Sequence, residues 1–233
     1  MNINKHLILL FSVLFFLFAV SVSSGCFRKN ESDVKSVVRN ELDQLKNLDS
    51  ETTQKYIPYT ELFPDATENT DLTDEINKTF SLFFRKFNYK ISDVIVGTAN
   101  HSATVSVKLT TIDSKVLARD FKAELLRTQI TESAQAQKGN IKDSSRSLEA
   151  HYLILNHLLN TNDYDTAETD CNIQLVNTGN DKKEKWKIQR TNSLEDDLVG
   201  GLIADLADPD ILSPEDTLTV YLDTLQKLDL KEM

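Results

Sequence analysis

Four histidines, two cysteines and 36 acidic side chains are among the groups in this chain able to hold a metal, move a proton or act as a nucleophile. His151 and His157 are six positions apart on a predicted helix. A ligand pair needs a spacing of three or four, which brings both rings to one face. Neither His-Glu-x-x-His nor Cys-x-x-Cys occurs, so no metal site is expected. Asp163, Asp165, Glu168 and Asp170 gather carboxylates of the kind calcium prefers. An EF-hand loop, however, turns on a glycine at its sixth position, where this chain has Glu168, and the cluster reads as a solvated turn. Glu195-Asp196-Asp197 falls in the first turn of a predicted helix, where negative charge complements the helix dipole. Gly-x-Ser-x-Gly and phosphate-cradling glycine loops are absent, and Gly200-Gly201 reads as close helix packing. The many carboxylates offer no pattern that selects a catalytic pair. No catalytic residue is assigned, and a non-enzymatic role is expected. Cys171 sits in the strand-like run Asp170 to Val176 and reads as a small buried hydrophobe.

Cys26 has different surroundings. Met1 to His6 is polar and carries Lys5, Leu7 to Val20 is a nearly unbroken apolar run, and Ser21 to Gly25 is small and polar apart from Val22. A basic start, a short apolar run and small residues before a cut are the marks of a secretory signal. The run is short for a membrane span, which needs about 20 residues. Ser24-Gly25-Cys26 resembles the lipobox of bacterial lipoproteins. The resemblance covers the first 26 residues, and it departs from the family at Ser23, where leucine is favoured. It implies cleavage between Gly25 and Cys26, with covalent diacylglyceryl and N-acyl lipid on Cys26 and no other cofactor. It also implies a partner membrane, held through that anchor, with the domain on the extracytoplasmic face of the cell membrane. Two or three acyl chains anchor stably where one does not. The alternative is an ordinary signal peptide followed by a coincidental cysteine.

Composition bounds what the exported part can be. Hydrophobic residues make up 40% of the 233 and charged residues 27%, which is a globular balance. The net charge is −10, and loss of the signal with Lys5 leaves 25 basic against 36 acidic side chains. Such a surface repels phosphate backbones, so no nucleic-acid partner is expected. The remaining partners are an unknown protein or a small ligand.

Hydrophobic spacing predicts the elements that would position any site. Ser32 reads as the cap of a helix carrying Val34, Val38, Leu42 and Leu45, and residues 50–59 as a second short helix. Leu62 to Thr70 reads as a loop. A third helix, capped by Asp71 or Thr73, carries Ile76, Phe80, Phe83, Phe84 and Phe87. Its aromatic face packs a core or lines a ligand pocket, and Phe80, Phe84, Leu125 and Trp186 are the candidate lining residues. Two alternating runs about the turn 97–100 predict a hairpin. A long helix through Phe121 and Leu125 follows, then one opened by Ser144, a second hairpin containing Lys185 to Arg190, and a core helix capped by Ser193. Strands grouped apart from helices indicate an α+β fold with an antiparallel sheet of about four strands. The expected parts are a signal peptide at 1–25, a lipidated tether at 26–31, an α+β domain at 32–208, and a linker with C-terminal helix at 209–233.

The opening helix, the hairpin Tyr89 to Thr111, the strand Lys185 to Ile188 and the segment Leu198 to Leu202 resemble exported lipoproteins with a nuclear transport factor 2-like cone. The resemblance spans residues 32–206 and rests on patterns, not on fixed chemistry. It implies a curved antiparallel sheet packed against several helices, in an elaborated version. The family includes enzymes, ligand binders and scaffolds, so the fold alone selects no function. The readings it leaves are a binding or protein-interaction module, an accessory subunit of an envelope complex, and a carboxylate enzyme. One further pattern stands apart. Leu42 to Asp49 and Leu222 to Asp229 both read L-D-x-L-x-x-L-D at an offset of 180 residues. Chance leucine periodicity is one explanation, and the start of an incomplete second repeat is the other.

Overall fold

The computed structural model describes residues 30–57, 59, 62–64, 66, 72–97, 101–137, 145–179 and 184–230. Gly25, Cys26 and the rest of the targeting segment lie outside these residues, as do Asp71 and Ser144. Helix α1 runs over residues 30–46, so Ser32 lies inside the helix and does not cap it. It is followed by α2 (Ser50–Tyr56), α3 (Thr73–Phe83) with a 3-10 turn at Phe84–Lys86, β1 (Asn88–Val96) and β2 (Ser102–Ile112). Next come α4 (Ser114–Ala136), α5 (Leu148–Thr161), β3 (Thr166–Asn177), β4 (Trp186–Ile188), α6 (Asn192–Leu198), α7 (Leu202–Ala207) and α8 (Pro214–Leu230). The strands form one four-stranded antiparallel sheet in the order β1-β2-β3-β4, and the fold is α+β. None of the described helices is long and apolar enough to cross a membrane.

The chain divides into two compact units, of which the first takes residues up to Asn40, Ile91–Val107 and Asn172–Gln189. Burial on β2 and β3 alternates as the pleat requires. Ala103, Val105 and Val107 are buried between Ser102, Thr104 and Ser106, and Ile173 and Leu175 are buried between Asn172 and Gln174. Strands β3 and β4 pair with Leu175 opposite Ile188 and Asn177 opposite Trp186. Asn177 pins their connection, because its Oδ1 accepts from Gly179 N at 2.9 Å and from Lys185 N at 3.0 Å.

The second unit takes Glu41–Lys90, Lys108–Cys171 and Arg190–Met233 and holds most of the helices. Short polar side chains start them by satisfying free backbone amides. Asp49 accepts from Thr52 N at 2.8 Å, Asp113 from Val116 N at 3.2 Å and Ser147 from Ala150 N at 3.1 Å. Thr191, not Ser193, caps α6, with its hydroxyl accepting from Leu194 N at 3.1 Å. Leu72 precedes α3 and makes no side-chain cap bond.

Helix α6 ends in a Schellman turn. Gly200 N donates to Asp197 O at 3.0 Å and Gly201 N to Asp196 O at 2.8 Å. Both glycines have left-handed φ, +67° and +89°. A Cβ on Gly200 would stand 2.2 Å from Thr111 Oγ1, so the close approach is to strand β2 and not between helices as the glycine pair suggested. The carboxylate of Asp196 then accepts from Ile203 N at 2.9 Å and Ala204 N at 3.2 Å, which starts α7.

Aromatic rings dominate the core of this unit. Phe84 lies 6.3 Å from Phe80, 5.5 Å from Phe83 and 5.2 Å from Phe87 between ring centroids. Tyr152 meets Phe80 at 6.4 Å and Phe63 at 5.5 Å, the latter edge-to-face. Such offset and T-shaped pairs contribute about 0.5–1.5 kcal/mol each beyond their burial.

Helix α8 packs on α4 and buries Val220 and Thr224. Its outer face carries Leu218 at 57% exposure, Tyr221 at 46% and Leu222 at 55%. The helices use the matching position differently, since Leu222 is exposed on α8 and its counterpart Leu42 is buried on α1.

Candidate functional site

A cleft of about 620 Å³ opens in the second unit. Four segments line it: residues Leu62–Pro64 with Ala66, one face of α4, the turn Ser145–Arg146 with His151 of α5, and α7. Phe121, Lys122, Leu125 and Gln129 are the α4 contribution, and their spacing keeps them along one side of the helix. Ile203, Leu206 and Ala207 form the α7 wall.

Local contacts hold each wall in place. Ser114 at the start of α4 puts its hydroxyl 2.7 Å from Asp205 Oδ2 and also within reach of Gly200 O, which fastens α7 to α4. The carboxylate of Glu132 on α4 accepts from Ser145 N at 3.2 Å and positions the turn that leads into α5. Phe63 is the keystone of the loop. Its ring stacks on Phe121 at 5.1 Å, lies 4.8 Å from the His151 ring and edges Tyr152 at 5.5 Å. The hydroxyl of Tyr152 donates to Tyr59 O at 2.9 Å, tying the same loop to α5, and burial raises its pKa.

His151 is half-buried between Phe63 and Phe121, with the second ring centroid 5.6 Å away. Its Nδ1 donates to Ser147 O at 2.7 Å, so the neutral ring presents Nε2 as an acceptor. Burial lowers its pKa, the Ser147 carbonyl opposes this, and the nearby positive charge of Lys122 lowers it further. Lys122 makes no ion pair among the described residues. No carboxylate occurs among the described lining residues, although the whole chain carries 36.

The sequence-derived candidates fall in different places. Leu125 lines this cleft. Phe80 and Phe84 are buried in the aromatic cluster and are not part of its lining. Trp186 belongs to the first unit, where it is buried on β4 and its Nε1 donates to Glu184 Oε2 at 3.2 Å. Lys122, His151 and Phe63 were not singled out by the sequence as lining residues. Phe63 sits in a stretch that reads as loop. Its only signal is the apolar pair Leu62-Phe63 ahead of Pro64, which a solvated loop has no reason to carry.

The other chemical groups are accounted for by local bonds. Only Asp163 and Asp165 of the acidic cluster lie in the turn, since Glu168 and Asp170 are on β3; Lys86 reaches Asp163 Oδ1 and Tyr164 O, each at 2.6 Å, and Lys108 reaches Glu168 at 3.0 Å. Its hydrogen bond and charge from Lys86 lower the Asp163 pKa. Cys171 is buried, and burial with the adjacent Asp197 carboxylate pushes its thiol up to about 12. It is therefore a thiol and not a thiolate at neutral pH. No group of three or more metal-type side chains occurs among the described residues.

Comparison with protein-family models, with curated proteins and with solved structures finds no match for this chain.

Proposed function

We propose that this chain is an exported lipoprotein, tethered through lipid on Cys26 to the extracytoplasmic face of the cell membrane. Its α+β domain is an elaborated nuclear transport factor 2-like cone that works as a non-catalytic binding module. The tether rests on the targeting segment that ends in Ser24-Gly25-Cys26. Two consecutive hairpins set among helices support the cone. The observation that carries the binding role is the cleft. Its volume of about 620 Å³ and its mixture of apolar wall and a few polar groups match the usual character of small-molecule sites. Its one imidazole is bonded to a backbone carbonyl and, among the described residues, to no hydroxyl or thiol that it would activate.

Expression of the full chain and of Cys26→Ser tests the tether. Intact mass of the mature wild type is expected to show acyl groups on Cys26 and fractionation to place it with membranes, both lost in the variant. A mature chain without added acyl mass sinks the lipoprotein reading.

The exposed Leu218, Tyr221 and Leu222 favour a second reading, an accessory subunit of an envelope complex that docks through α8. Sedimentation of detergent-extracted wild type beside the double variant Leu218→Glu, Leu222→Glu tests it. Identical sedimentation of the two argues against docking through α8.

A further inference from the structure

The charged side chains of the described lining are basic in a chain that is acidic overall. The chain is net −10, yet those side chains are Lys122 and Arg146, beside the neutral imidazole of His151. The ammonium of Lys122 is not neutralised by any carboxylate among the described residues, although acids outnumber bases by 36 to 26. Much of the remaining lining is apolar. Phe63 and Phe121 stack at 5.1 Å, and Leu125, Ile203 and Leu206 complete the surface. A ligand that fills this space must bring an apolar body for the walls and an acceptor for the cation.

Resting on the binding-module reading, we propose that the cleft takes an anionic amphiphile: one apolar chain or ring system with a single carboxylate-like head held by Lys122. The body lies between the α4 face at Leu125 and the α7 face at Ile203 and Leu206. The head meets Lys122 on the α4 wall. A hydrogen bond to an ionised partner is roughly twice as strong as a neutral one, and a surrounding apolar wall keeps it from being screened. A cationic amphiphile meets like charge in the same place. A neutral one gains the wall and loses the head.

The test uses the full chain in one neutral detergent, so that micelle partitioning is the same for every protein. The probes are 2-naphthoate, neutral 2-naphthalenemethanol and cationic 2-naphthylmethylammonium, read by the shift in thermal midpoint and by equilibrium dialysis. The expected result is that naphthoate binds at least about ten-fold tighter than the alcohol. Lys122→Gln should remove that preference and leave the affinity for the alcohol unchanged. Leu125→Trp, which fills the cleft, should abolish binding of both, provided its ligand-free midpoint shows that it folds. Equal binding of all three probes, or preference for the cation, overturns the anionic assignment and leaves the binding module standing. Binding of no probe, or binding indifferent to Leu125→Trp, overturns both. Competition by free decanoate identifies a soluble acid as the source of the head, and competition by phosphatidylglycerol identifies a lipid. Either result supports the proposed chemistry.

Discussion

The ring of His151 lies 4.8 Å from the ring of Phe63, so a titratable group on α5 shares an aromatic stack with a residue from an irregular loop. This contact makes the loop part of the cleft wall. It also places the imidazole where a positive charge on it is poorly solvated, and its folded-state pKa is lowered chiefly by burial.

A pH dependence follows from that direction. The unfolded chain takes up a proton on His151 near pH 6.5, and the folded chain does so only at lower pH. Stability is therefore fully retained above about pH 6.5 and falls as pH drops from there through the folded pKa. Urea midpoints of wild type measured between pH 7.5 and 5 should decline more steeply than those of His151→Phe, which keeps a ring and removes the titration. Parallel curves for the two proteins would show that His151 is not the group responsible.

Gly200 and Gly201 separate steric from conformational cost. Both have left-handed φ, but only Gly200 has Thr111 Oγ1 within 2.2 Å of a built Cβ. Gly200→Ala is expected to lose at least about 2 kcal/mol of stability through strain and overpacking together. Gly201→Ala, whose nearest neighbour is 3.7 Å away, should lose only about 1 kcal/mol. Denaturant melts of the two variants decide the order.

Arg190 holds Glu195 through Nε at 2.9 Å and through its Nη2 on the same Oε1. The Glu195 side chain is 6% exposed, so removing Arg190 leaves a buried carboxylate without its ion-pair partner. Arg190→Ala should cost about 1–3 kcal/mol near neutral pH. The loss should shrink in the double variant Arg190→Ala, Glu195→Gln, measured as a thermodynamic cycle of chemical denaturation.

Deletion of residues 212–233 tests how far α8 belongs to the domain. It exposes the α4 surface now covered by Val220 and Thr224 and removes about 1–3 kcal/mol of burial at Val220. The shortened chain should still unfold cooperatively, at a lower midpoint. Loss of a cooperative transition would make α8 an obligatory part of the core.

Much of the secondary structure is legible because it depends on local spacing. Helical recurrence marks Val34, Val38, Leu42 and Leu45, and alternation marks the strands on either side of the turn 97–100. The four-stranded antiparallel sheet follows from the grouping of those strands. Caps were harder to place. Thr191 and Ser193 have equally suitable hydroxyls, and which one finds a free amide depends on where the chain turns into α6.

The site was mostly not legible, for a reason visible in α1 and α8. Leu42 and Leu222 hold the same place in the same eight-residue motif, yet one is 2% exposed and the other 55%. Periodicity states that a helix has an apolar face and does not state what covers it. In the same way the pattern nominated Phe80 and Phe84, which are large and regularly spaced, while neighbouring rings cover them completely. Lys122 and His151 line one cleft only because α4, α5, α7 and the loop at Phe63 come together there. By itself the sequence determined the helix and strand types, the acidic balance and the lipobox-like Ser24-Gly25-Cys26, all of which are local or additive properties. Which apolar faces are buried, and which side chains share the cleft, was decided by tertiary packing, because both depend on partners that local spacing does not encode.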